Sequence, residues 1–156
     1  MPEEEPEEAA AVEALSETAR RQVHNQAVID DFRAADGAVG GFYAEIPLLL
    51  VHHVGARSGT RYVTPLAYLT AGEAFVLLAA NGGRDRNPGW YHNLVAHPET
   101  VIEVGGRTVE VTAREAAGAE RETLVERART ETQLFGGFEG RTRRRIPILV
   151  LDPVQP

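Results

Sequence analysis

The sequence of 156 residues has no cysteine, and none of its 16 basic residues is lysine. The first absence excludes disulfides, thiolate metal sites and cysteine nucleophiles. The second leaves arginine as the only strong cation, a planar fork suited to phosphate and carboxylate oxygens. Abundant Ala, Gly and Val make codon bias an equally good source of that preference. No apolar run approaches the roughly 20 residues that cross a bilayer. The chain opens on Glu3, Glu4, Glu5, Glu7 and Glu8 rather than on a signal peptide. The expected location is the cytoplasm, with no integral membrane segment. A formal net charge of -7 argues against general nucleic-acid binding, although the acidic head carries much of it.

At 17.0 kDa, with 43% hydrophobic and 25% charged residues, the chain has the makings of one globular domain with a real core. Residues 1–22 read as an acidic, alanine-rich extension, partly disordered or helical, and 23–156 as the folded domain. Helical spacing runs from Ala10 to about Ala35, with Asn25 as a possible division into two helices. Ile46–Val54 reads as a strand buried on both faces. Val63–Leu69 forms a second strand, where Pro65 marks an edge or a bulge. Ala74–Ala80 forms a third. Asn87 is expected to cap a helix from Pro88 to about Ala96. Thr100–Val104 and Arg107–Arg114 pair through a two-residue Gly105-Gly106 turn. A charged helix over Ala119–Thr132, a Gly- and Arg-rich loop over 136–145 and a last strand, Ile146–Leu151, complete the chain. About six strands in hairpin order with flanking helices predict an α+β fold, mainly an antiparallel sheet curling into a barrel.

Few residues suggest acid–base or metal chemistry. Ser58 has no G-x-S-x-G elbow around it. His52 and His53 are adjacent on a strand and face opposite ways, and His92 and His97 are poorly spaced for a helix. No metal site is expected. Two glycine turns at strand ends stand out instead. Val54-Gly55-Ala56-Arg57-Ser58-Gly59-Thr60-Arg61 reads as an anion-binding concavity for a phosphorylated cofactor or, equally, as a solvated hairpin tip. Asn81-Gly82-Gly83 leads into Asn87-Pro88-Gly89-Trp90-Tyr91-His92-Asn93-Leu94. That segment is either an aromatic wall for a flat heterocycle or a cover for the barrel mouth.

The succession VIDDFRAADG, PLLLVHHVGARSGTRYVTPLAYL, LAANGGRDRNPGWYHNLVAHPE, VIEVGGRTVEVTARE and TRRRIPILVL resembles the deazaflavin-dependent nitroreductase family over roughly residues 23–154. The resemblance implies a split β-barrel that binds reduced coenzyme F420, a deazaflavin carrying a phosphate and a polyglutamate tail. It implies that Ala56, Arg57, Ser58, Gly59, Thr60 and Arg61 meet the phosphate region. Thr64, Pro65 and Ala67 would line the ring with Leu77, Leu78, Ala79, Ala80 and Asn81, and Trp90 and Tyr91 would close the pocket. The expected activity is hydride transfer to a quinone, enone or nitroaromatic, with Tyr68, Tyr91 or water as proton donor. The chain departs from the family pattern in having Asn81 where lysine is common and Tyr62 where arginine is common. Thr132, Phe135 and Phe138 stand near substrate-facing tyrosines of nitroimidazole-reducing members. The alternatives are a non-catalytic carrier of a flavin-like ligand and an FMN-dependent reductase. Oligomeric state is left open.

Overall fold

The computed structural model describes residues 17–38 and 47–154. In chain order these are α1 (Glu17–Ala34), β1 (Leu48–Val54), β2 (Arg61–Ala67), β3 (Leu69–Ala71), β4 (Ala74–Leu78) and a 3-10 turn (Asn81–Gly83). There follow α2 (Gly89–Ala96), β5 (Glu99–Val104), β6 (Arg107–Glu115), α3 (Gly118–Glu131), α4 (Gln133–Glu139) and β7 (Ile148–Pro153). The strands form one sheet in the order β2-β1-β5-β6-β7-β4-β3, and every neighbouring pair is antiparallel.

The two ends of that order are joined by one residue. Ala67 closes β2 at one edge, and Leu69 opens β3 at the other, with Tyr68 between them. A trans peptide unit spans only about 3.8 Å between Cα atoms, so the sheet must curl until its edges meet there. The Tyr68 N–H donates to the Pro47 carbonyl at 3.3 Å and pins this corner. Alternation in the sequence continues across the break, which is why the expected single strand Val63–Leu69 is two strands and the sheet has seven rather than six. Pro65 lies on the edge strand β2, as a residue without an N–H requires.

Alternation on β1 explains the packing. Leu49 and Val51 enter the barrel core with Phe75, Leu77, Trp90, Leu94, Ile102, Leu149 and Leu151. Leu48 and Leu50 lie on the opposite face, under Val28, Ile29 and Phe32 of α1. On β4 and β7, Val76, Ile148 and Val150 turn outward to meet Leu124 of α3. These strands therefore read as unbroken apolar runs. The Gly105-Gly106 turn forms as expected, with both φ angles positive, +54° and +79°.

Several boundaries differ from expectation. Asn25 does not divide α1, which is continuous across the expected boundary at 22/23; the expected helical stretch before Glu17 lies outside the described residues, as does Ile46. Pro88, not Asn87, is the N-cap of α2, with no side-chain cap bond. The expected loop after Gly136 is partly α4, because Phe135 is buried against Ala80, Ala128 and Ile146 and holds the turn helical despite its glycines. The last strand begins at Ile148, not Ile146.

The Arg33 guanidinium clasps Glu103 of β5 at 3.1 and 2.8 Å, and His52 shares the same carboxylate at 2.7 Å. Arg33, and secondarily His52, hold the Glu103 carboxyl below the usual range. This clasp is exposed, so burial of Phe32 carries most of the attachment of α1. Phe32→Ala should cost about 3–5 kcal/mol. The thermal unfolding midpoint should fall by on the order of 10 °C; a shift within error would mean that α1 is not part of the core.

Candidate functional site

A cavity of about 1700 Å³ opens where the two sheet edges meet. It wraps edge strand β2, with the 55–58 turn and His92 and Asn93 of α2 at one end and Phe135 and Phe138 of α4 at the other. Ordinary small-molecule sites span about 300–1000 Å³, so the space admits a flat ring system and a second small molecule.

The hairpin turn is built by one close contact. A Cβ on Gly55 would lie 2.3 Å from Ser58 Oγ, so only glycine lets that hydroxyl fold back over the turn. Ser58 Oγ accepts the Thr60 N–H at 3.1 Å. The Gly55 and Gly59 N–H groups donate to the Thr60 and Gly55 carbonyls, and the Ala56 N–H donates to Asn93 Oδ1 at 2.9 Å. The amides at the tip are thus largely used within the protein. From this turn Gly55, Ala56, Arg57 and Ser58 line the cavity.

On the opposite wall Arg144 ties down the 79–87 segment. Its guanidinium donates to the carbonyls of Ala79 (3.0 Å), Ala80 (2.8 Å) and Arg84 (2.9 Å) and to Asn87 Oδ1 (2.7 Å). Burial lowers its pKa, with Asp85 opposing. Only a planar fork satisfies several fixed acceptors at once. Asn81 adopts a positive φ of 50°, which asparagine tolerates, and its amide donates to the Arg86 carbonyl at 3.0 Å. Gly83, at φ +81°, has no room for a Cβ, which would meet Arg141 Cβ at 2.7 Å.

Of the expected cofactor residues, Ala56, Arg57, Ser58, Thr64, Pro65, Ala67, Leu77, Leu78, Ala80, Asn81 and Trp90 line the cavity, as do Tyr68, Phe135 and Phe138. Gly59, Thr60, Arg61, Ala79 and Tyr91 do not. Ala79 is fully buried in the core. Tyr91 packs partly buried against the barrel core, and its hydroxyl donates to Glu115 Oε1 of β6, a bond that raises its pKa. The hydroxyl expected as a proton donor is therefore directed at Glu115. Tyr62, the neighbour of the expected Arg61, lines the cavity with its ring stacked on His53. Among the described residues no cluster of side chains could hold a metal ion.

His53 and Asn93 are cavity residues that the sequence reading missed. The signal was present: His53 continues the inward row Leu49, Val51 on β1. Its Nε2 lies 2.8 Å from Thr64 Oγ1 and its Nδ1 2.9 Å from Asn93 Nδ2, and Tyr62 stacks on the ring at 5.4 Å. Burial, reinforced by the neighbouring His52, lowers the His53 pKa to about 4.

Residues 24–153 match the family described as F420H(2)-dependent quinone reductase. An F420H(2)-dependent quinone reductase of Mycobacterium tuberculosis is 32% identical over 126 residues, covering 77% of this chain and 83% of that protein. A solved F420-H2 dependent reductase is 29% identical with a TM-score of 0.62, covering 68% of this chain and 94% of that one. A second solved structure, described as a domain-swapped dimer, is 26% identical with a TM-score of 0.64, covering 88% of this chain and all of that one.

An imidazole with a folded pKa near 4 and an unfolded one near 6.5 is neutral in the native state and charged when released. The unfolded chain then binds more protons between those values, so stability should fall as pH drops through that window. Urea midpoints measured across it should slope for the wild type and flatten for His53→Gln; parallel slopes would place the titration elsewhere.

Proposed function

The chain belongs to the F420H(2)-dependent quinone reductase family and is an oxidoreductase with reduced F420 as its cofactor, and we propose that the cavity beside β2 is where it reduces a quinone. The observation that supports this placement is the joint lining of one cavity by the Arg57–Ser58 turn, the Thr64–Ala67 strand and Trp90. That donor set fits the group: a cation and a hydroxyl for a phosphate, and a strand and an aromatic wall for a flat ring. When bound, reduced F420 supplies a hydride and, overall, a proton, leaving oxidised F420 and a hydroquinone.

The protein has to hold the two partners in register and exclude water, since the hydride chemistry belongs to the coenzyme. Trp90 and Tyr62 provide apolar wall, and Arg57 anchors the anionic end. Tyr68 lines the same cavity and packs edge-on to Phe75 with ring centroids 5.6 Å apart, so its hydroxyl is the side-chain candidate for passing a proton. The partly buried Phe138 supplies an apolar face for the acceptor, which favours a quinone over a group needing hydroxyl donors. A cytoplasmic location and a small-molecule acceptor are part of the same proposal, resting on the acidic, cysteine-free composition and on the family.

Mixing the protein with reduced F420 and a benzoquinone or naphthoquinone should oxidise the coenzyme with an equivalent yield of hydroquinone, and FMN should bind more weakly. Tight binding without turnover would favour a carrier, and tighter FMN binding would sink the cofactor placement.

Arg57→Ala tests the anchor. A charge-assisted hydrogen bond contributes roughly 1.5–3 kcal/mol, so coenzyme affinity should fall on the order of 10- to 150-fold. The phosphate does not change charge during hydride transfer, so the saturated rate should stay nearly constant. Unaltered affinity would reduce the turn to a solvated hairpin tip.

A further inference from the structure

A backbone N–H can only donate, so the atom of Asn93 facing the Ala56 N–H is the amide oxygen. The amide nitrogen is then the atom 2.9 Å from His53 Nδ1, and it donates there. His53 Nδ1 must be unprotonated to accept. In the neutral ring the proton therefore sits on Nε2, which donates to Thr64 Oγ1 at 2.8 Å. The Thr64 hydroxyl, with one lone pair engaged, keeps its own proton for another acceptor. Among the described residues no acceptor for it is recorded, and Thr64 lines the cavity.

We propose that the relay Ala56–Asn93–His53 is a polarity-setting device that makes Thr64 a hydrogen-bond donor into the cavity, selecting a ligand that presents an acceptor such as a ring carbonyl at that point. The proposal rests on the reading of this cavity as the coenzyme site for naming that ligand, though not for the relay itself. His53 and Asn93 are positioning residues: they act through Thr64. Three features hold the polarity. Asn93 is oriented by a backbone group with no alternative role. The imidazole is kept neutral by burial among Thr64, Tyr62 and Asn93. Its neighbour on β1, His52, faces the other way onto Glu103. The titratable groups around the ring are thus His52 on its own strand, Tyr62 on β2 and, on α2, His92 next to Asn93. The opposite tautomer would make Thr64 donate back to His53 and present lone pairs to the cavity, repelling the same acceptor.

Asn93→Asp reverses the relay with little change of shape. A carboxylate still accepts the Ala56 N–H, but it can only accept from His53, so the proton moves to Nδ1 and Nε2 becomes an acceptor. The carboxylate also raises the proton affinity of the ring. On acidification His53 gains a second proton, Nε2 donates again, and Thr64 is restored as a donor. A purely structural role for Asn93 would not produce that recovery.

Two measurements decide. In the ligand-free protein, NMR of the imidazole nitrogens should show the Nε2–H tautomer for His53 in the wild type and the Nδ1–H tautomer in Asn93→Asp at about pH 8. The Nδ1–H form in the wild type would overturn the relay. Second, affinity for reduced F420 should fall roughly 3- to 10-fold in Thr64→Val and recover in Thr64→Ser. Affinity of Asn93→Asp, taken relative to wild type at each pH so that titration of the coenzyme cancels, should weaken by a similar factor at about pH 8 and recover by about pH 5.5. The pH-dependent part should vanish in the Thr64→Val background. If it persists there, the new carboxylate acts on the phosphate directly and the proposal fails. Unchanged affinity in Thr64→Val would also overturn it. If the wild type does not bind the coenzyme at all, the functional reading of the cavity fails, while the tautomer measurement still decides the relay.

Discussion

Burial of β1 on both faces is the constraint from which the rest of the structure follows. Leu49 and Val51 point into the barrel, and Leu48 and Leu50 point at α1. One strand thus serves two cores, and neither face can be given to solvent. The same two rows end in the two histidines. The outward row delivers His52 to Glu103 and the clasp that holds α1, whereas the inward row delivers His53 to the cavity. A one-residue slip of β1 would exchange the two rows and move every side chain of the strand to the opposite face, sending His53 outward and His52 inward. Register on β1 is therefore set by packing, and the polarity at the cavity inherits that register.

The cavity exists because β2 and β3 share a corner without pairing with each other. Curling brings the sheet edges together at Tyr68, yet no ladder joins them there. A gap between two edges would ordinarily expose backbone polar groups that invite another strand. Here Pro65 blunts β2 and its outer neighbours Pro47 and α1 border the space. A ligand that lies along β2 therefore meets side chains and a few unpaired backbone groups rather than a sheet interior. That arrangement suits a flat ring system better than it suits a peptide strand.

Much of this was legible in the sequence where local chemistry dictates the backbone. The Gly105-Gly106 hairpin, the apolar runs of β1, β4 and β7 and the glycine turn at 55–59 each follow from residues that have few other uses. Three features were not legible, for physical reasons. The split at Tyr68 leaves alternation intact, so only closure of the sheet reveals it. The helix α4 forms through burial of Phe135, a tertiary effect that outweighs the low helix propensity of Gly136 and Gly137. Tyr91 and Trp90 are sequence neighbours on a helix and so must diverge; Trp90 went inward because Leu94, four residues on, lies on the same buried face. The adjacency of His52 and His53 argues only against a shared metal; the informative pattern is that His53 continues the inward apolar row Leu49, Val51.

Hydride transfer asks the protein for position more than for proton traffic, and the distribution of polar groups around the cavity has that character. Three single side chains tie its walls together. Asn93 fastens the 55–58 turn to α2, Arg144 fastens the 79–87 segment to the chain entering β7, and the Tyr91–Glu115 bond fastens α2 to β6. Each joins segments distant in sequence. In the proposed site, ordering these segments before a ligand arrives would lower the entropy lost on binding and help to hold a ring and its acceptor within reacting distance. The exclusive use of arginine bears on one of these ties. Lysine at position 144 would bring a single strongly hydrated point charge to four fixed acceptors set around a plane, and could not bridge Ala79, Ala80, Arg84 and Asn87 together. Whatever produced the arginine bias in the composition, at this position the planar fork is what the wall of the cavity requires.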